Sequence, residues 1–575
     1  MASEIVVGID FGTTHSGVSW AVNGGSKNVR LITDWPNPLP NANSEKVPTT
    51  ISYKDGKPHN WGYNVGLGED SFKWFKILLD PDHKLRSKAE AVVASSALLR
   101  SLNKTAEDVA ADYLRIIWEY AKEDISRMKG DNWESMYNLK VVLTVPAIWS
   151  PAAKDKTEKV ARAAGLPKDI SLVSEPEAAA LAVMKEKNDE DESLEVGDVF
   201  VVCDAGGGTV DLISYKITGL NPLQMEECAK GDGGLCGSVL VDSAFEKYIK
   251  TLVGEDDYNS IKQKPKVRMM REFEMGVKRC YTGDNKEFSV DLPGVDDNPK
   301  EGIMDDTIRL KPGMLRTVFD FVINQIVNLV DNQIDEVQER GQRVKAILLV
   351  GGFGSSKYMY QRLKNAHRGV GIQVLQVNGA WSSICRGATL WGLENATDDN
   401  STGSTKKTVT ARIARHSYGI CACVPFDATR HLFQDRVRLP DGNWWANNQM
   451  QWLLKRGERV EVGKLLTTQI SSSVQVGFFD SGIRSFSQQL WFCPENEPPS
   501  RKTASVKELC TVQYGIDCTK LWLERSYRDP QTKQKWRDAT FDLLVLLDSA
   551  KLHFLVAYKD EPVAYTDADY RETAS

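Results

Sequence analysis

The sequence has no run of about 18 uncharged apolar residues, the length a membrane-crossing helix needs, so no membrane partner is expected. Its ten cysteines are scattered and include no C-x-x-C pair. That excludes a zinc ribbon or a thioredoxin-type site and reads as reduced thiols in a cytoplasmic protein. The opening residues carry Glu4 and Asp10 and have neither a basic start nor a small-residue cleavage site, so no signal peptide is expected. A net charge of −6 over 575 residues has none of the basic excess of a nucleic-acid binder, and no nucleic-acid partner is expected. Two widespread phosphate-binding signatures are also missing: there is no G-x-x-x-x-G-K-[ST], and no G-x-G-x-x-G between a strand and a helix.

What is present is a repeat. The chain opens with IVVGIDFGTTHSGVSW and near residue 200 reads VFVVCDAGGGTVDLISY. In each, an apolar strand ends in one Asp and a Gly/Thr turn leads into a second strand. Asp10 aligns with Asp204, Gly12 with Gly206 and Thr14 with Gly208, without a gap. After the first hairpin the pattern predicts a helix over 104–128, with Thr105 and Asp108 as a capping box, then a strand over 140–147 and a helix over 154–166 stopped by Gly165. After the second it predicts helices in the 240s, the 260s–270s and 312–340, then a strand at 345–354. The order hairpin, helix, strand, helix thus occurs twice, which reads as duplicated α/β lobes over 1–190 and 191–395. A Ser/Thr/Asp-rich stretch at 396–410 reads as a linker, and residues 411–575 as one mainly β, β-sandwich-like domain. Trp444 and Trp445 fall in a Gly/Asn-rich stretch that reads as an exposed loop.

A triphosphate with Mg²⁺ needs backbone N–H groups, close approach of the main chain, and carboxylates for the metal's water shell. Gly12 and Gly206, Gly207 and Gly208 permit that approach, and Thr13, Thr14 and Thr209 add hydroxyls. Asp10 and Asp204, each at a strand end, could hold Mg²⁺ through water from opposite sides. On this reading two lobes grip one phosphate chain.

IDFGTTHSGVSW, TVPAIWSPAAKDKTEKVARAAGL, LVSEPEAAALA, VCDAGGGTVDL and ILLVGGFGSSKYM stand in the order and approximate spacing of the actin, hexokinase and heat-shock ATPase superfamily. Over residues 4–395 the chain most resembles the seventy-kilodalton heat-shock chaperones, in a divergent, shorter-tailed branch. The segments YGICACV, MQWLLKRGERVEVGKLLTTQ and VQVGFFDSG resemble that family's substrate-binding β-domain. The resemblance implies ATP or ADP held with Mg²⁺ between actin-like lobes. It makes Asp10, Gly12, Thr13 and Thr14 the first phosphate hairpin, and Asp204, Gly206, Gly207, Gly208 and Thr209 the second. It also implies Glu175 as a residue positioning water and metal, and Lys76, with Lys73 as its neighbour, as the lysine facing the γ-phosphate. Gly237 would lie near the β-phosphate, Lys278 and Arg279 at the nucleoside with Glu274 one residue out of the family's spacing, and Gly351 and Gly352 against the base.

The departures are specific. Ser238, Val239 and Leu240 replace an acidic stretch, and Ser355 and Ser356 stand where the family has the arginine that completes its adenine sandwich. The linker lacks the family's apolar, acid-flanked character, and neither a helical lid nor an acidic co-chaperone tail is expected. The reading is a slow ATPase acting as a chaperone, with unfolded client peptides and co-chaperones as partners. The alternatives are a nucleotide-binding switch or scaffold with little turnover and, behind it, a small-molecule kinase of the same superfamily.

Overall fold

The computed structural model describes residues 3–24, 28–38, 43–66, 68–80, 90–168, 170–186, 194–376, 379–395, 407–475, 480–547 and 552–565. Most of the expected linker (396–406), part of the acidic stretch 185–198 (187–193), the tip of the last predicted hairpin (548–551) and the tail 566–575 lie outside these residues. The chain divides into two compact units, Met1–Val409 and Thr410–Ser575.

The first unit is mixed α/β and is built on two sheets of matching topology. In one, strand Glu4–Asp10 pairs antiparallel with His15–Asn23 and parallel with Asn138–Val145, which pairs parallel with Ile170–Ser174. In the other, Val199–Ala205 pairs antiparallel with Val210–Leu220 and parallel with Val344–Val350, which pairs parallel with Gln373–Gln376. The hairpins match to the residue: Asp10 faces Gly17, and Asp204 faces Asp211. Near-continuous burial of IVVGID and VFVVCDA is what a strand covered on both faces requires.

The helices follow their end signals. Ala106–Lys129 starts at a capping box in which the Thr105 side chain and the Asp108 backbone N–H, and the Asp108 side chain and the Thr105 backbone N–H, bond reciprocally. Pro151–Ala163 starts at Ser150, whose hydroxyl accepts from the Ala153 N–H, and ends before Gly165 at φ +89°. Helix Pro312–Glu339 presents Leu315, Phe319, Val322 and Ile326 to the core at helical spacing. No helix among the described residues is long and apolar enough to cross a membrane.

Helix Ser383–Glu394, the last of this unit, lies on the first sheet. Cβ atoms added at Gly8 and Gly392 would stand 2.5 Å from the Thr389 nitrogen and 2.3 Å from Val6 Cγ1. Ser19 Oγ bonds Thr389 Oγ1 at 2.7 Å. The same helix packs on helix Glu175–Glu186, where a Cβ at Gly387 would fall 1.7 Å from the Ala178 carbonyl oxygen.

The second unit holds two antiparallel sheets. One runs Arg436–Arg438, Trp444–Leu454, Ser417–Pro425, Ile483–Cys493, Lys507–Asp517. The other runs Leu465–Val474, Lys535–Leu547, Leu552–Tyr558, Glu561–Tyr565. Ile420, Ile470, Leu490, Val512, Phe541, Leu543 and Val556 share one core. Ala539, Phe541, Leu543 and Val545 supply it from alternate positions of one strand. Trp444 and Trp445 begin strand Trp444–Leu454 and do not form a loop, because Arg436–Arg438 pairs with them. Trp444 is 46% exposed and lies under the Arg436 guanidinium at 3.8 Å. None of the ten cysteines is in a disulfide.

Gly387→Ala places a methyl group on immovable helix backbone, so it is expected to lower the stability of the first unit by about 3 kcal/mol or more, the upper end of overpacking costs. A fall in the urea midpoint of that unit's transition is the check.

Candidate functional site

The two hairpins meet. A Cβ on Gly207 would lie 2.2 Å from Thr14 Oγ1, and one on Gly208 would lie 3.3 Å from Thr13 Cγ2, so only glycine in the second turn leaves room for the threonines of the first. Around this contact lies a cavity lined by Asp10, Gly12, Thr13, Thr14, Lys76, Glu175, Asp204, Gly206, Gly207, Gly208, Thr209, Gly351 and Gly352. His15, Lys46, Pro146, Asp211, Trp381 and Ile384 complete the lining.

Four carboxylates, Asp10, Glu175, Asp204 and Asp211, converge there with two lysines. Asp10 and Asp204 are 1% and 4% exposed, at the ends of the two central strands. Glu175 opens helix Glu175–Glu186. Lys76 Nζ donates to Glu175 Oε1 at 2.9 Å and sits 5.5 Å and 5.1 Å from the ring centres of Phe11 and Trp149. Of the two neighbouring lysines it is Lys76 that is buried, while Lys73 is exposed. Lys46 Nζ donates to Asp10 Oδ2 at 2.5 Å, and Thr144 Oγ1 reaches Asp10 Oδ1 at 3.4 Å. Burial, then the charges of Glu175, Asp211 and Asp10, push Asp204 well above the usual carboxylate range. Burial also raises Glu175, against the pull of Lys76. Gly351, at φ +85°, packs so closely on Asp204 that an added Cβ would lie 2.4 Å from its Oδ1.

Other expected residues lie off the cavity wall. Gly237 supports the second turn from behind: its N–H donates to the Gly208 carbonyl at 3.2 Å, and the Ser238 and Val239 N–H groups donate to the Gly206 and Gly207 carbonyls. The first amides of helix Val239–Val253 are thereby used within the protein. Lys278 Nζ is paired with Asp242 at 2.6 Å. Burial raises Asp242 to about 6 even against that lysine. A π turn over Phe273–Lys278 takes up one extra residue, which fits Glu274 being one place out of register. Arg279 stands 5.2 Å from the centre of the Trp381 ring, and His15 meets the same ring edge-on at 5.3 Å. Burial first, with nearby cations, lowers His15 to about 4, so it is neutral near pH 7.

Sequence reasoning did not single out Lys46, His15, Asp211 or Trp381. Asp211 had a signal, since it follows GGGTV at the position that mirrors Asp204 across the hairpin. The other three reach the cavity through packing that has no local pattern. Among the described residues no three His, Cys, Asp or Glu side chains are grouped closely enough to hold a metal directly. The paired hairpin acids suit instead a hydrated ion that takes its remaining ligands from phosphate.

Residues 191–377 match a domain of unknown function (DUF8340), and residues 412–572 match another (DUF8568). The chain is 24% identical over 548 residues to heat shock 70 kDa protein 12A of Mus musculus, covering 80% of this chain and 78% of that one. It is 23% identical over 552 residues to human heat shock 70 kDa protein 12B, covering 80% and 77%. Chaperone protein DnaK of Mycoplasma mycoides is 25% identical over 360 residues, 61% of this chain and 53% of that one. The chain is thus similar over most of its length to proteins named for the heat shock 70 kDa family. Such homologues imply an actin-like ATPase α/β fold, and the first unit is mixed α/β on two sheets of matching topology.

An acid raised by folding holds its proton to higher pH than the unfolded chain, where Asp204 has its ordinary value of 3.8. Its charge therefore costs stability increasingly as pH rises above about 4. Asp204→Asn is expected to raise the unfolding midpoint of the ligand-free protein by about 2 °C or more at pH 7. Melting curves across pH check this, and the gain should shrink toward pH 4.

Proposed function

We propose that the first unit is a Mg²⁺-dependent ATP-binding and ATP-hydrolysing machine of the chaperone type, with the phosphate chain held between the hairpins of Asp10 and Asp204. The observation that carries this reading is the contact of Gly207 with Thr14, which brings both acid-ended hairpins to one cavity beside the Lys76–Glu175 pair. Backbone N–H groups of Gly12, Thr13 and Thr14, and of Gly207 and Gly208, bind phosphate oxygens, with Gly206 holding the turn through its N–H on the Thr209 carbonyl and the Thr13, Thr14 and Thr209 hydroxyls beside them. Asp204, with Asp10 opposite, would hold Mg²⁺ through water, and the ion when bound supplies charge neutralisation at the transferred phosphoryl group.

Lys76 is a catalytic cation fixed by Glu175 and two aromatic rings, so its charge does not have to be ordered during the reaction. Asp204, whose proton affinity is raised by burial and then by its acidic neighbours, is suited to receive a proton from the attacking water at its carboxylate. Gly351 and Gly352 offer bare backbone to the nucleoside, and Arg279 on Trp381 forms the neighbouring wall. Gly237 and Lys278 act at one remove, the first behind the turn and the second through Asp242.

A nucleotide-binding switch with little turnover is the second reading. It is favoured by Lys46 occupying Asp10 and by Ser238, Val239 and Leu240 following Gly237. For the second unit we infer a β-sandwich that takes peptides or client proteins. The exposed Trp444 beside Phe433 and Arg436 is its best surface for that purpose. A cytoplasmic location fits cysteines held as thiols and not as disulfides.

Titration with ATP and ADP is expected to show magnesium-assisted binding followed by slow phosphate release. Asp204→Asn should slow release by about 100-fold or more while nucleotide still binds. Tight binding with no release by the wild type would establish the switch, and no binding would end both readings.

A further inference from the structure

Lys46 is buried in a niche built for it. It is 4% exposed and its stem passes over Gly17, where an added Cβ would lie 3.1 Å from Lys46 Cγ. Its Nζ ends on Asp10 Oδ2, while the other Asp10 oxygen faces the Thr144 hydroxyl. The Lys76–Glu175 pair repeats this pattern across the cavity. Asp10 and Glu175 are thus each met by a protein cation, while Asp204 lines the same cavity opposite Asp211 across its hairpin.

We propose that Lys46 is a resident counter-cation of the phosphate site, engaging Asp10 so that it leaves the metal's water shell and Asp204 becomes the carboxylate that serves the divalent ion. The inference rests on the nucleotide reading above and changes one part of it, the assignment of Asp10 to the ion. With Asp10 neutralised from within, a phosphate chain enters without meeting that negative charge, even when no divalent cation is present. Lys46 is a positioning residue: it acts through Asp10.

The test is calorimetric titration of the full chain with ATP, in excess EDTA and in saturating Mg²⁺. Lys46→Met should weaken binding in EDTA roughly tenfold or more, because Asp10 is left bare. Mg²⁺ should recover most of that loss by occupying Asp10. The double variant Lys46→Met/Asp10→Asn, neutral at both positions, should restore binding in EDTA to within about threefold of wild type. Asp10→Asn alone should tighten binding in EDTA, since it frees the lysine for phosphate. A purely structural Lys46 would weaken binding equally in both conditions and would not be rescued by Asp10→Asn. That result, or Asp10→Asn having no effect in EDTA while weakening binding in Mg²⁺, overturns the proposal. If Lys46→Met does not fold, Asp10→Asn alone decides. Failure of the wild type to bind ATP in either condition overturns the nucleotide reading and the inference with it. Wild-type binding with unshifted variants overturns only the inference.

Discussion

Four carboxylates buried around one cavity are the constraint from which the rest of the first unit follows. Asp10, Asp204 and Asp211 come from two sheets and Glu175 from a helix, and each is nearly sealed from water. At that depth burial raises the proton affinity of Glu175 and Asp204, and acidic neighbours add to it. The protein offsets this with two buried lysines, Lys46 on Asp10 and Lys76 on Glu175, and leaves Asp204 without such a partner in the lining. An apo protein arranged in this way is under electrostatic tension at neutral pH. Ligands that bring positive charge to Asp204 relieve it.

The duplicated hairpins are alike in register and unlike in content, and the difference has a steric cause. Thr13 and Thr14 in the first turn occupy space that Gly207 and Gly208 leave open in the second. Two threonine turns would collide, and two glycine turns would leave a gap. The asymmetry is what lets a repeated element pack against its own copy. The second turn is also braced from behind by amides at the start of helix Val239–Val253, so its carbonyls are satisfied; the Gly206 N–H donates to the Thr209 carbonyl, and those of Gly207 and Gly208 are the ones left to face the cavity.

How much of this was legible in the sequence depended on the range of the interaction. The strand-end acids, the glycines beside them and the Thr105–Asp108 cap are local: backbone geometry within a few residues demands those residue types. The mixed α/β order could be read for the same reason. Lys46, His15 and Trp381 have no such signal, because each becomes part of the site only when segments distant in sequence come together. The choice between Lys73 and Lys76 is of the same kind, since only the packing of Phe11 and Trp149 distinguishes them. Trp444 and Trp445 looked like a loop because the Gly/Asn residues near them outweighed their own strand propensity, and pairing with Arg436–Arg438 reversed that balance.

Helix Ser383–Glu394 closes the first sheet from the far end of the unit. Its glycines bring its backbone directly onto Val6 and Val142. Strand Glu4–Asp10 and helix Ser383–Glu394 stand at opposite ends of the unit in sequence. Until both have been made and have met, this apolar sheet face lacks its native cover, so the folding chain exposes there a surface open to wrong contacts.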